Sequence, residues 1–221
     1  MPEFQGIKIT QAEYSSRLRY RKALVKAVRI ASKGSSWRCK DGVLFCEAAG
    51  WTFSVSPSVA IYSHATSAEL RAKPMGVDPI FWQINDLVQN ETEPLSFRWF
   101  GVWTCPVPEI DAQTIDEAGD VEAVARRIIE WSNVACASCR SLITQAKLIE
   151  VMQRPEYLEN GTYLPTIVCC LVLMGEEAEA LELCRTATAR KWTGGFQVSK
   201  NPFTDLAFAW LERRSAGARL H

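Results

Sequence analysis

The sequence predicts an α+β protein: an antiparallel sheet with flanking helices, followed by a helical C-terminal part. Three observations carry this expectation. Apolar residues repeat at helical spacing up to Gly34. They alternate with period two in several segments between Val43 and Thr104. After an acidic, turn-rich stretch from Glu109 to Gly119, only helical spacing remains. The sequence suggests two parts, residues 1–112 holding the sheet and residues 113–221 forming a helical subdomain packed on it.

The first helix starts at a capping box, Thr10 with Glu13, and Gly34 is placed to close it. Tyr14, Leu18, Val25 and Val28 share a face, and Lys22, Lys26, Arg29 and Lys33 form a basic stripe beside it. A solvated face explains the stripe; a ridge for an acidic partner is the alternative. Three short strands follow at 43–47, 51–55 and 59–63, with breaks at Ala48-Ala49-Gly50 and Ser56-Pro57-Ser58. Residues 65–73 read equally as a strand or a helical turn.

Asp78-Pro79 reads as an N-cap followed by proline at the first helical position. Ile80, Phe81, Ile84, Leu87 and Val88 give that helix its apolar side, and Asn90 can end it. Leu95–Thr104 reads as the strongest strand, with Phe97, Trp99 and Trp103 on one face and Phe100 and Val102 on the other. Cys105-Pro106 stops it. Arg98 within it invites stacking or an internal carboxylate partner. Beyond the linker, Asp120 caps a long helix, and Asn133 offers a place for it to break. A helix pair turns at Gly175, and Asn201-Pro202 starts a last helix with Phe203, Leu206, Ala207, Trp210 and Leu211 inward.

Basic and acidic residues balance at 25 each, which argues against a general nucleic-acid or membrane-surface binder. Locally the charge is uneven: residues 1–40 hold ten basic and two acidic residues, and Glu109–Glu122 holds six acidic and no basic ones. The opening residues lack the apolar core of a signal peptide, and no apolar run is long enough for a membrane span. A cytosolic location is the expectation, with the eight cysteines reduced.

Catalytic signatures are sparse. There are two histidines, the terminal His221 and His64. A hydrolase or transferase would have to use Cys46, Cys105 or a carboxylate near His64, and no local motif marks such a pairing. Cys136-Ala137-Ser138-Cys139 has the spacing of half a zinc or redox site. It has no second pair at suitable spacing and no preceding strand, so two thiols on one helix face is the simpler reading. No phosphate loop, metal set or cofactor motif is found.

Lys73-Pro74, Asp78-Pro79-x-Phe81-Trp82-x-Ile84 and Pro94-Leu95-Ser96-Phe97-Arg98-x-Phe100-Gly101 together resemble the bacterial immunity proteins of polymorphic toxin systems. The resemblance covers about residues 10–110. It implies a cytosolic, non-enzymatic protein that binds and neutralises one secreted toxin domain, and it transfers no catalytic or contact residue. The first candidates for partner contact are then the loop residues Asn90, Glu91 and Glu93 before the aromatic segment, and the acids Asp116, Glu117 and Asp120 in and just after the linker. The acidic stretches Glu109–Glu122 and Glu176–Glu182 could meet a basic toxin face; a linker and a helix N-terminus, respectively, explain them without a partner. The remaining alternative is a nucleic-acid-linked adaptor using Lys22, Lys26 and Arg29.

Overall fold

A computed structural model describes residues 9–62, 65–158, 161–192, 197–198 and 201–218. Helix α1 (Gln11–Ala31) is followed by strands β1 (Arg38–Lys40), β2 (Val43–Ala48), β3 (Trp51–Val59) and β4 (Thr66–Pro74). Next come α2 (Val77–Ile84), a 3-10 turn (Val88–Thr92), α3 (Phe97–Phe100) and β5 (Asp111–Ile115). Helices α4 (Val121–Leu142), α5 (Gln145–Met152), α6 (Pro155–Leu158), α7 (Leu164–Leu173) and α8 (Glu177–Ala189) follow. A two-residue strand pair, β6 (Gln197–Val198) and β7 (Asn201–Pro202), precedes α9 (Phe203–Ala218). The class is α+β: β1 to β5 form one sheet in chain order, with antiparallel ladders wherever the register is described, and a helical C-terminal part follows. The compact units are Met1–Ala72 with Glu109–Ser141, and Lys73–Pro108 with Leu142–His221. The chain thus crosses between units three times, where its composition marks a single change at 112/113.

In the first unit, α1 begins at the expected capping box. The Thr10 amide donates to Glu13 Oε2 at 2.7 Å, and the Glu13 amide donates to Thr10 Oγ1 at 3.2 Å. Its buried side is Arg17, Leu24, Ala27 and Val28, so the inward stripe is rotated from the one the sequence suggests. Val25 instead covers the turn between β1 and β2. A Cβ on Gly42 would lie 2.9 Å from Val25 Cγ2, and Asp41 and Gly42 both have positive φ. That pair forms a two-residue turn whose twist suits a hairpin. Ala49-Gly50 repeats it between β2 and β3.

The sheet is longer than predicted. β3 runs through Pro57, which lies beyond the last pair described with β2, Leu44 with Val55, so its missing N–H breaks none of those bonds. The expected strand at 59–63 does not form over Ala60–Tyr62; Ser63 and His64 lie outside the described residues. The ambiguous 65–73 stretch becomes β4, and the expected linker contains β5. Phe53, Val55, Thr52 and Ser54 are all buried, so β3 is covered on both faces. Helix α4 runs unbroken past Asn133, whose Oδ1 accepts from Trp37 Nε1 at 2.9 Å.

The second unit is built on α7, whose residues from Leu164 to Val172 are all buried. It contacts α2, α5, α8 and α9. Gly175, with φ of +79°, makes the turn into α8 as expected. Phe81 of α2 stacks on Phe203 of α9, centroids 5.6 Å apart. The segment 95–104 is not a strand. It forms the single turn α3 and then irregular backbone, because its carbonyls are taken by distant side chains: Lys73 Nζ donates to Arg98 O at 2.6 Å and Trp82 Nε1 to Trp103 O at 2.6 Å.

Candidate functional site

The sequence-nominated contact residues fall into both units. Asn90 and Glu91 belong to the 3-10 turn and Glu93 follows it; both glutamates are exposed. In the first unit, Asp116 Oδ1 accepts from the Ala118 amide at 3.0 Å, and Asp120 caps α4 by accepting from the Ala123 amide at 2.7 Å. Both side chains are exposed while serving these local roles. Glu117 is engaged differently. Its carboxylate accepts from Arg17 Nη1 and Nη2, at 2.8 and 3.0 Å, and from Thr66 Oγ1 at 2.6 Å. The hydrogen bonds from Arg17 to Glu117 hold the guanidinium above its ordinary range.

The densest charge in the second unit is buried. Lys73 comes from the end of β4, Asp78 from the first turn of α2 and Arg98 from α3. Lys73 Nζ lies 3.0 Å from Asp78 Oδ1 and donates also to the carbonyls of Arg98 and Cys105. Asp78 Oδ1 accepts from the Cys105 amide at 2.9 Å, and Oδ2 meets Arg98 at 3.3 Å. Lys73 and Arg98 lie over the rings of Trp99 and Trp82, at 5.0 and 5.3 Å. Asp78 is therefore not the helix cap that its Asp-Pro context suggests. Gly76 holds the cap position with no side-chain bond, and Lys73 and Arg98 draw the carboxylate inward. Three donors on Nζ meet three acceptors and Asp78 is fully buried, so the arrangement ties the 95–105 segment to α2. Arg98 has the internal carboxylate partner the sequence anticipates.

The candidate nucleophiles are also committed internally. Cys46 is hydrogen-bonded to Cys136, and that bond and burial push its thiol up. Cys105, buried in the second unit, is hydrogen-bonded to Cys169. Burial pushes the Cys139 thiol up to about 11. For Cys46 and Cys139 these are the opposite of the conditions that activate a thiolate; the Cys46 bond instead holds the Cys136 thiol below its ordinary value. His64 lies outside the described residues. Among the described residues no three His, Cys, Asp or Glu side chains converge as a metal set, and no helix is long and apolar enough to cross a membrane.

Two surfaces of the first unit carry exposed charge. Lys22, Lys26 and Arg29 of α1 and Lys33 just past its end are exposed beside a groove of about 340 Å³ between α1 and α4. Ala27, Ile30, Ala31 and Ile129 supply its apolar wall, and Glu122, Arg126 and Glu130 its rim. The other surface is the edge of the sheet at β5. Asp111, Ala112, Gln113 and Thr114 are all exposed and only Ile115 is buried. Asp111 in the strand, Glu109 and Asp116 flanking it, and Asp120 and Glu122 at the start of α4 are exposed. Sequence reasoning finds these acids and misses the strand, since Asp-Ala-Gln-Thr-Ile has no apolar alternation. No protein-family model, no curated protein and no solved structure matches the chain.

Proposed function

We propose that the protein is a non-enzymatic binding protein of the toxin-immunity type, acting in the cytosol by one-to-one capture of a toxin domain with a basic surface. The observation that carries this reading is the exposed acidic run from Glu109 to Glu122, in which Glu117 alone is drawn into an ion pair among the described residues. Uncompensated charge on one face speeds encounter with an oppositely charged partner and discriminates against others. The internal commitment of Cys46, Cys105 and Asp78 supports the same reading over a hydrolase or transferase.

The test is to mix the purified protein with toxin domains encoded beside its gene. A stoichiometric complex by size exclusion and calorimetry, with loss of toxin activity, is expected; absence of any complex removes the reading. The exposed α1 ridge favours a second reading, contact with nucleic acid. Binding to a DNA or RNA duplex that falls steeply with salt and is lost on replacing Lys22, Lys26 and Arg29 would establish it.

A further inference from the structure

The sheet ends differently on its two sides. β1 is three residues long and basic, with Arg38 and Lys40 exposed. β5 is longer and acidic, and no strand among the described residues pairs with its outer edge. It pairs inward with β4 from Ile115 opposite Thr66 to Asp111 opposite Leu70. In such a ladder alternate residues direct N–H and C=O away from the partner, and those groups are a ready template for another strand. The Thr114 carbonyl accepts from the Gln113 side chain at 3.0 Å, which marks Thr114 as a residue whose main-chain groups face outward.

Proteins blunt such edges with lysine, proline, bulges or a covering element. Residues 111–115 hold no lysine and no proline, and the four consecutive side chains of 111–114 are exposed, so no element among the described residues covers them. The edge is also held still. Arg127 of α4 donates to the carbonyls of Asp116 and Ala118, just past the strand end, and Asp120 caps the same helix. A fixed strand loses little freedom when a partner adds to it.

We propose that the outer edge of β5 is a strand-addition site for an extended, basic segment of the protein partner; this rests on the partner-binding reading and gives its mode. Main-chain hydrogen bonds supply the pairing. Asp111, with Glu109 and Asp116 flanking the strand, selects lysine and arginine on the incoming segment. The same charge opposes side-by-side pairing of two β5 edges, since each copy brings its acids to the other.

The probe is a fluorescein-labelled peptide of about eight residues alternating lysine and valine, long enough to pair with the whole edge. Its control has the same charge with proline replacing the two central valines, which prevents it from forming a ladder. Anisotropy titration is expected to show binding, with the proline peptide weaker by about tenfold or more, the worth of one or two lost main-chain bonds. Thr114→Pro removes an outward N–H and is expected to weaken the alternating peptide by a similar factor, with far-ultraviolet circular dichroism unchanged. Asp111→Lys is expected to weaken both peptides. If Thr114→Pro fails to fold, the two peptides on the native protein still decide.

Equal binding of the two peptides, or of neither, overturns the proposal. So does concentration-dependent sedimentation of the protein alone that Thr114→Pro abolishes, which would assign the edge to a head-to-tail contact with the basic β1 edge of a second copy. A toxin domain that binds wild type and folded Thr114→Pro equally removes this mode and leaves the partner reading standing. A toxin complex that never forms, while the peptides still discriminate, removes the partner reading alone.

Discussion

Among the described residues each compact unit holds one arginine–carboxylate pair that is largely enclosed, Glu117–Arg17 in the first and Asp78–Arg98 in the second, and the two are built to opposite designs. In the second unit Asp78 is wholly enclosed and faces two cations, Lys73 and Arg98. In the first, Glu117 faces Arg17 with its own side chain 26% exposed. Asp78 accepts a main-chain amide and its lysine partner holds two main-chain carbonyls. Glu117 bonds only side chains in the contacts described, Arg17 and Thr66. The enclosed node substitutes for secondary structure: it satisfies backbone that has no helix or ladder of its own. The half-open node fixes a helix against the sheet and leaves water in reach. Burial makes a charge pair expensive to break without making it a large net source of stability. The enclosed node is therefore the more fragile of the two toward loss of a single partner.

The largest effect is expected at Asp78. Asp78→Ala leaves Lys73 as an uncompensated buried cation, leaves the half-buried Arg98 with the Met75 carbonyl in place of its carboxylate, and frees the Cys105 amide. The expected loss is about 3–5 kcal/mol, the range for removing one partner of a buried pair. Urea denaturation of wild type and variant measures it. A loss below about 1 kcal/mol would be that of a surface ion pair and would erase the distinction between the two nodes.

Glu117→Ala should cost less, about 1–2 kcal/mol, because Arg17 Nη2 keeps the Ala60 and Ala65 carbonyls at 3.3 Å and gains water. Salt sharpens the contrast. Added sodium chloride should weaken the Arg17–Glu117 contribution and leave that of Asp78 nearly unchanged, since screening reaches the open node first. The readout is the gap between each variant and wild type at low and high salt. If both gaps respond alike, the nodes do not differ in solvent access.

The same contrast explains what the chain reveals as a sequence. Local signals are legible. The Thr10–Glu13 capping box, the Ala49-Gly50 hairpin, the Asp120 cap and the Gly175 turn each depend on residues within a few positions, and each forms. Long-range signals mislead. Segment 95–104 alternates like a buried strand, yet Lys73 and Trp82, 25 and 21 positions away, take the carbonyls of Arg98 and Trp103. Asp78 has the spacing of a cap, and the buried Lys73 with the half-buried Arg98 overrules it. β5 has no apolar period; only its ladder with β4, some 45 residues earlier, makes it a strand. For the candidate surface, the acids of 109–122 are visible in the sequence. That Glu117 is turned onto Arg17, and that Asp111 lies in an edge strand with Glu109 and Asp116 flanking it, requires the fold.

The smallest effect separates the units by their thiols. Burial pushes Cys139 of the first unit up to about 11 and Cys184 of the second up to about 12, from an ordinary 9.0. A folded-state pKa above the unfolded one means the native protein holds the proton more tightly. Stability from these thiols is therefore complete below pH 9 and is lost as pH rises from there through their folded values. Tyr20, raised by burial and then by Glu117, adds to the loss above pH 10. Arg17 stays charged throughout this range, held up by its bonds to Glu117, so the open node does not titrate with the thiols. Urea midpoints measured in reducing buffer should be flat from pH 7 to pH 9 and then fall. Cys184→Ala should flatten the fall in the second unit and Cys139→Ala in the first. A slope that neither substitution changes would place the alkaline weakness elsewhere, with Tyr20→Phe the next variant to compare.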